Sequence, residues 1–376
     1  MLTSDSPANI LASRNLAMAL SQGGGAVSGF AAQPGFTLTD NGDGTFTIND
    51  AQSRFGIKPN AAKPVWFFDF GSGSDQPHPA LSRNQKALVW NASSGPSTEI
   101  KRPNATHAMV MDAGIGGKGT DPLFAGDGDK TLTLPPNAGR KYFRYLDTYN
   151  DFTIADLNAR IEAITSDPTF YAPNLKANRW QSESAQSVAG APYTPNYYQA
   201  NSYRFQFLGD AAGEYDSEMY KLSTAWAAKH WEVQEEYHEI SSAAGATDAS
   251  MYGVLDGVEK FSRLNQDSHN GLDPSDPAYR WNHYKVMNFE VWADPGYARW
   301  FTNVLYIDDS WCRVYITDKP AWNPGEQKAM EIQVPTAWIA DDLTFFKRNG
   351  QFSSLSGKHL WVADNDDNKI LIGSWD

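Results

Sequence analysis

The sequence predicts an all-β chain with two sandwich cores, and three observations carry that prediction. The chain has 376 residues, too many for one average domain and enough for two sizeable cores. It carries 13 Trp, 17 Tyr and 19 Phe, side chains that suit pleated, half-buried surfaces. Short apolar or alternating segments recur between Gly, Pro, Asn and Asp turns, whereas helical periodicity is scarce. With charged residues at only 20%, the chain is globular rather than disordered.

In chain order, residues 7–20 pattern as a short helix with Leu11, Leu16, Met18 and Leu20 as its apolar positions. Ser21-Gln22-Gly23-Gly24-Gly25 breaks it, and small residues continue as a tether to about Gly35, so residues 1–35 are predicted to be an arm. Phe36-Thr37-Leu38-Thr39 and Thr45-Phe46-Thr47-Ile48 alternate apolar with polar around Asp40-Asn41-Gly42-Asp43-Gly44. There Asn-Gly and Asp-Gly supply the positive φ that a hairpin demands. Further strands are predicted over 65–70, 87–90, 107–111, 141–145, 203–208, 229–240 and 279–292, then over 304–308, 311–316, 329–334, 343–346 and 359–363. The best helical pattern is 154–166, with apolar residues at 154, 157, 161 and 164 and Asp151 or Thr153 as caps. The polar stretches 181–200 and 264–278 read as surface loops.

Charge narrows the function. Lys plus Arg is 31 against 44 Asp plus Glu, a formal charge of −13. That charge repels phosphate backbones and anionic membranes, so neither a nucleic-acid partner nor membrane insertion is expected. Cys312 is the only cysteine, which excludes an internal disulfide and a cysteine zinc site. Among Trp311, Arg313, Val314 and Tyr315 it reads as a small buried strand residue. The first residues lack a basic n-region, so classical secretion is not expected.

Two segments carry a resemblance. Arg54-Phe55-Gly56-Ile57-Lys58-Pro59 with Ala62-Lys63-Pro64-Val65-Trp66-Phe67-Phe68-Asp69-Phe70 resembles the opening of bacterial and phage surface proteins that begin as an IPT/TIG-type Ig-like domain. Glu331-Ile332-Gln333-Val334-Pro335-Thr336-Ala337-Trp338 and Lys358-His359-Leu360-Trp361-Val362-Ala363-Asp364 resemble its closing strands. Between them, Trp281-Asn282-His283-Tyr284-Lys285-Val286 and Leu305-Tyr306-Ile307-Asp308-Asp309 resemble the concanavalin A-like, laminin-G-like jelly rolls, with Asp309-Ser310 where glycine is usual. The resemblance implies an Ig-like β-sandwich split over 36–64 and 314–376. A concanavalin A-like jelly-roll domain of 65–313 would be inserted in it.

The densest functional segment is His230-Trp231-Glu232-Val233-Gln234-Glu235-Glu236-Tyr237-His238-Glu239-Ile240. On a strand, Trp231, Val233, Glu235, Tyr237 and Glu239 share one face, and Glu232, Gln234, Glu236 and His238 the other. Jelly-roll glycoside hydrolases need two carboxylates about 5–5.5 Å apart when retaining or about 6.5–9.5 Å apart when inverting. Glu235 and Glu239 are about 13 Å apart along a strand and cannot form a retaining pair alone. If the chain is an enzyme, Glu232, Glu235, Glu236 and Glu239 are the candidates. A lyase reading finds His283 and Tyr284 beside Lys285, but alternation puts Tyr284 on the opposite face, and the acidic balance opposes a polyanionic substrate. Glycan binding needs aromatic platforms beside polar groups, and Trp231, Glu235, Tyr237, Trp281 and His283 supply them. Asp40–Asp43, Asp127–Asp129 and Asp364–Asp367 are oxygen-rich turns without EF-hand spacing. No cofactor is therefore expected, a structural calcium ion being the one candidate the jelly-roll resemblance adds.

Extracellular-type domains without a leader fit a virion protein that folds in the cytoplasm and later faces outward. The expectation is a non-enzymatic capsid-decoration, fibre or tail component on the virion surface, with other virion proteins, itself or glycans as partners. The alternatives are a polysaccharide-degrading jelly-roll enzyme, hydrolase or lyase, and a bacterial surface lectin exported by a non-classical route.

Overall fold

The computed structural model describes residues 25–86, 95–112, 139–151, 229–269, 271–276, 279–280 and 299–376. It adds the backbone of six strands that form a sheet of their own: Thr131–Thr133, Leu175–Gln181, Tyr193–Gln199, Ser202–Phe207, Asp216–Lys221 and His283–Phe289. The predicted helices at 7–20 and 154–166, the strand at 87–90 and the turn at 127–129 lie outside the described residues. Among the described residues the chain is all-β, with three antiparallel sheets and one short 3₁₀ turn at Phe70–Ser72.

The first sheet joins the two ends of the sequence. Thr45–Asp50 pairs on one side with Phe36–Asp40 and on the other with Asp342–Phe346, which pairs onward to Met330–Trp338. Arg313–Thr317, His359–Ala363 and Lys369–Trp375 complete the path. Local pattern explains the first hairpin. Phe36, Leu38, Phe46 and Ile48 are buried, while Thr37, Thr39, Thr45, Thr47 and Asn49 are not. Gly42 and Gly44 have φ of 77° and 89°, as its Asn-Gly and Asp-Gly pairs demand. The sheet packs around a core of Phe36, Leu38, Ile48, Val314, Ile316, Leu343, Phe345, Leu360, Val362 and Ile372.

Residues 25–35, read from sequence as part of a tether, are pinned to this sheet instead. Gly25–Ala26 pairs with Phe36–Asp40, and Phe30–Ala32 pairs with Lys369–Trp375. Phe30 packs edge-on to Trp375 at 4.8 Å, and a Cβ on Gly373 would strike the Phe30 ring and the Ala31 carbonyl. An aromatic anchor and a glycine cleared for it hold the segment, which small-residue content alone does not reveal.

The second sheet is eight-stranded. It runs Val258–Gln266, Ala249–Leu255, Trp231–Glu239, Lys141–Asn150, Arg299–Asp308, Ala108–Asp112 and Gly95–Ser97, with Trp66–Asp69 also paired to Arg299–Asp308. One face packs on the first sheet through Phe67, Phe143, Tyr145, Val233, Tyr237, Val304 and Tyr306 against Tyr315, Met330, Ile332, Val334 and Trp361. Each such large side chain removed from water contributes about 1.5–3 kcal/mol, so this layer holds the two sheets together.

Several strands exceed or escape the sequence reading. Lys141–Asn150 and Arg299–Asp308 are ten residues each, and Tyr193–Gln199 is a strand where 181–200 reads as a loop. Val258–Gln266 likewise runs into the stretch read as a loop from 264. Asp309-Ser310 replaces the usual glycine without strain, because neither residue has positive φ. Ser310 Oγ donates to Asp308 Oδ2 at 3.0 Å, and the Asp309 amide donates to Asp308 Oδ1 at 3.0 Å.

Candidate functional site

Trp231–Glu239 lies in the eight-stranded sheet between Ala249–Leu255 and Lys141–Asn150. Its pleat separates the two predicted faces, and every residue from Glu232 to His238 is buried. Register decides what joins each face. Thr148, Leu146, Arg144 and Tyr142 stand opposite Glu232, Gln234, Glu236 and His238, and Asn150 lies two residues beyond Thr148 on the same face.

The polar groups of this face form a row. Asn150 Nδ2 donates to Glu232 Oε1 at 3.0 Å, and Gln234 Nε2 donates to the same oxygen at 2.5 Å. Arg144 Nη2 donates to Gln234 Oε1 at 3.4 Å and pairs with Glu236 Oε1. Glu236 Oε2 stands 3.6 Å from His238 Nε2. Burial pushes the Glu232 carboxyl up to about 8, against the hydrogen bonds from Gln234 and Asn150, so it is protonated at neutral pH. Burial also lowers His238, with Glu236 pulling the other way, so its imidazole is neutral at pH 7 and able to accept a proton. The row approaches solvent at one end. There the half-buried His230 places Nε2 3.9 Å from Glu232 Oε2, and Lys229 Nζ lies 3.5 Å from Asp151 Oδ1.

The sequence candidates are divided by this arrangement. Glu232 and Glu236 belong to the row. Glu235 and Tyr237 face the interior between the two sheets, 1% and 2% exposed, which is not the placement of a surface glycan platform. Glu235 Oε1 accepts from the Tyr237 hydroxyl at 3.0 Å and from the Tyr315 hydroxyl, while the Arg313 guanidinium lies 4.5 Å from the Tyr237 ring centroid. Trp231 is half-buried at the strand end under the Arg102 guanidinium, 4.8 Å away. Glu239 is half-buried, 3.7 Å from Arg140. Trp281 lies outside the described residues, and His283 opens a strand of the six-stranded sheet, paired with Gln181 and Thr133.

Sequence reasoning missed Arg144 and Asn150 and gave Gln234 and His238 no role. Alternation already grouped Gln234 with His238, but Arg144 joins them only through pairing between strands 90 residues apart. Among the described residues no group of three His, Cys, Asp or Glu is placed to hold a metal ion.

No protein-family model matches the chain, and no curated protein matches it in sequence. Solved structures similar to it share the β-sandwich, jelly-roll fold. An endo-β-1,4-glucuronan lyase from the fungus Trichoderma reesei is 10% identical over 57% of this chain and 86% of its own, with a TM-score of 0.38. An alginate lyase in complex with alginate tetrasaccharide is 12% identical over 58% of this chain and 84% of its own, with a TM-score of 0.36. The binding domain of botulinum neurotoxin serotype D/C is 7% identical over 66% of this chain and 49% of its own, with a TM-score of 0.38. The expectation of a non-enzymatic virion component does not stand beside these findings, in which the recurring neighbour is a polysaccharide lyase.

Proposed function

We propose that the chain is a polysaccharide lyase that cleaves uronate-containing chains by β-elimination on the polar face of the eight-stranded sheet. The observation that carries this reading is the convergence of Arg144, Gln234 and His238 on one face of two paired strands. β-Elimination needs a group that neutralises the uronate carboxylate, a base for the C5 proton and an acid for the departing oxygen. Arg144 and Gln234 meet the carboxylate and acidify C5. The neutral His238 imidazole takes the C5 proton, the C–H electron pair becomes the C4–C5 double bond, and the C4–O glycosidic bond breaks. Tyr142, the register partner of His238, protonates the leaving oxygen.

Hydrolysis fits less well. Glu232 and Glu236 share the face but sit four residues apart, about 13 Å along the strand at Cα, beyond the roughly 6.5–9.5 Å between the carboxyl groups of an inverting pair. Glu236 is also committed to Arg144.

The test is incubation with alginate, glucuronan and polygalacturonate, reading polymer size and the ultraviolet absorbance of the unsaturated product together. Falling size with rising absorbance, both abolished by His238→Ala, is the expected result. Falling size without absorbance would make the enzyme a hydrolase. No change with any polyuronate overturns the proposal.

A further inference from the structure

Among the described residues, Glu232 Oε2 and Asn150 Oδ1 of the row have no hydrogen-bond partner. Their residues are 1% and 3% exposed. A buried polar atom left unpaired costs about 1–3 kcal/mol, and buried polar side chains are otherwise nearly always satisfied. Two such atoms on hydrogen-bonded side chains are therefore a costly arrangement unless a ligand meets them.

The geometry holds both atoms in place. Glu232 Oε1 takes both available donors, Asn150 Nδ2 at 3.0 Å and Gln234 Nε2 at 2.5 Å, and leaves Oε2 to be filled. Asn150 is fixed by that amide bond and by its place opposite Trp300 on the adjacent strand. His230 Nε2, 3.9 Å from Glu232 Oε2, is too distant to satisfy it and marks the side on which the row nears solvent.

We propose that Glu232 and Asn150 form a hydroxyl-binding subsite that takes a pyranose hydroxyl of the polyuronate beside the unit held by Arg144 and Gln234. This rests on the lyase reading and deepens it. A sugar hydroxyl both donates and accepts, so it can give its proton to Asn150 Oδ1 and accept one from the neutral Glu232 carboxyl. A carboxylate or phosphate would set a negative oxygen against Asn150 Oδ1, and an apolar group would leave both atoms unpaired. The pair therefore selects substrates that carry a free hydroxyl at this position.

The test uses oligouronates from alginate and glucuronan, titrated calorimetrically into a His238→Ala chain so that they bind without being cut. Adding Asn150→Ala is expected to weaken binding by about 10–100-fold, the worth of one or two hydrogen bonds to buried groups. Adding Glu232→Gln is expected to change it by less than about threefold, because the amide N–H replaces the carboxyl proton, whereas Glu232→Ala should match Asn150→Ala. If Asn150→Ala does not fold by thermal denaturation, the Gln and Ala variants of Glu232 decide the matter. O-acetylated oligouronates should bind the His238→Ala chain weakly and lose nothing more on Asn150→Ala. Unchanged affinity on adding Asn150→Ala and Glu232→Ala, when the native chain cleaves polyuronate, overturns the subsite and leaves the lyase reading intact. Absence of both cleavage and binding overturns both.

Discussion

Arg313 offers the sharpest test of how the two sheets are held together. The guanidinium is fully buried. Its Nε donates to the Tyr315 hydroxyl at 2.9 Å, Nη1 donates to the Trp311 carbonyl, and Nη2 pairs with Asp367. Its carbon lies 4.5 Å from the Tyr237 ring centroid and 5.2 Å from that of Phe143. Arg313→Leu keeps much of the volume but removes the charge and all three hydrogen bonds. Breaking a buried ion pair by deleting one partner costs about 3–5 kcal/mol. Here Lys369 Nζ still reaches Asp367 Oδ2 at 2.5 Å, and Asp367 keeps 20% of its side chain in solvent, which together hold the loss to the lower end. We expect about 3 kcal/mol, roughly a hundredfold or more in the folding equilibrium. Urea denaturation followed by tryptophan fluorescence reads it directly, since Trp311, Trp322 and Trp361 surround the cluster. A cycle with Tyr315→Phe should show at least about 1 kcal/mol of coupling, because the Tyr315 hydroxyl links Arg313 to Glu235. A loss below about 1 kcal/mol with additive single changes would show that apolar packing alone joins the sheets.

Two further outcomes follow from single residues. The Glu232 carboxyl is raised by burial from 4.5 to about 8, with Gln234, Asn150 and Arg144 lowering it and Asp256 raising it. Between those values the folded chain keeps a proton that the unfolded chain has released, so stability falls as pH rises through that window. Glu232→Gln is expected to match the native chain near pH 4 and to exceed it by on the order of 5 kcal/mol near pH 9; parallel stability–pH curves would refute this. Gly350 has φ of 50°, and a Cβ there would fall on the Glu331 carboxylate, which Arg348 Nη1 holds at 2.5 Å. Gly350→Ala is expected to lose about 2 kcal/mol or more in thermal denaturation, from strain and from displacing that pair, and a change within about 0.5 kcal/mol would contradict it.

The terminal strands were legible because their signals are local. At Phe36–Asp40 and Thr45–Asp50 the alternation is clean, one face meets the core, and the turn residues announce themselves. The same turn signal stands at Asp256-Gly257, whose φ values of 47° and 74° join Ala249–Leu255 to Val258–Gln266, but the flanking strands lack the apolar–polar alternation that would mark a hairpin. Met251, Gly253 and Leu255 are buried there between half-buried Ser250, Tyr252 and Val254, a weaker contrast than Thr against Phe. The site was half legible for a different reason. Alternation divides Trp231–Glu239 into two faces but cannot say which one meets the first sheet, because both are buried and both carry carboxylates. Only the register with Lys141–Asn150 brings Arg144 to Gln234, and pairing across 90 residues leaves no trace in local spacing.

On the lyase reading, the consequence of the net charge is kinetic. A formal charge of −13 opposes a polyanionic substrate at long range, but charges more than about 8–10 Å apart at the surface are largely screened at physiological ionic strength. Affinity is set by the groups the ligand touches, and on this face those include a buried guanidinium and an amide. Among the described residues, Lys229 at the open end of the row already has a partner in Asp151, so it does not restore attraction at long range. On the lyase reading, the whole-molecule field would slow encounter with a polyuronate that the buried row binds. Added salt should raise kcat/KM from low ionic strength up to about 0.15 M, the reverse of an electrostatically steered enzyme. A steep fall in kcat/KM over that range would mean that an unneutralised basic path leads the substrate to the row.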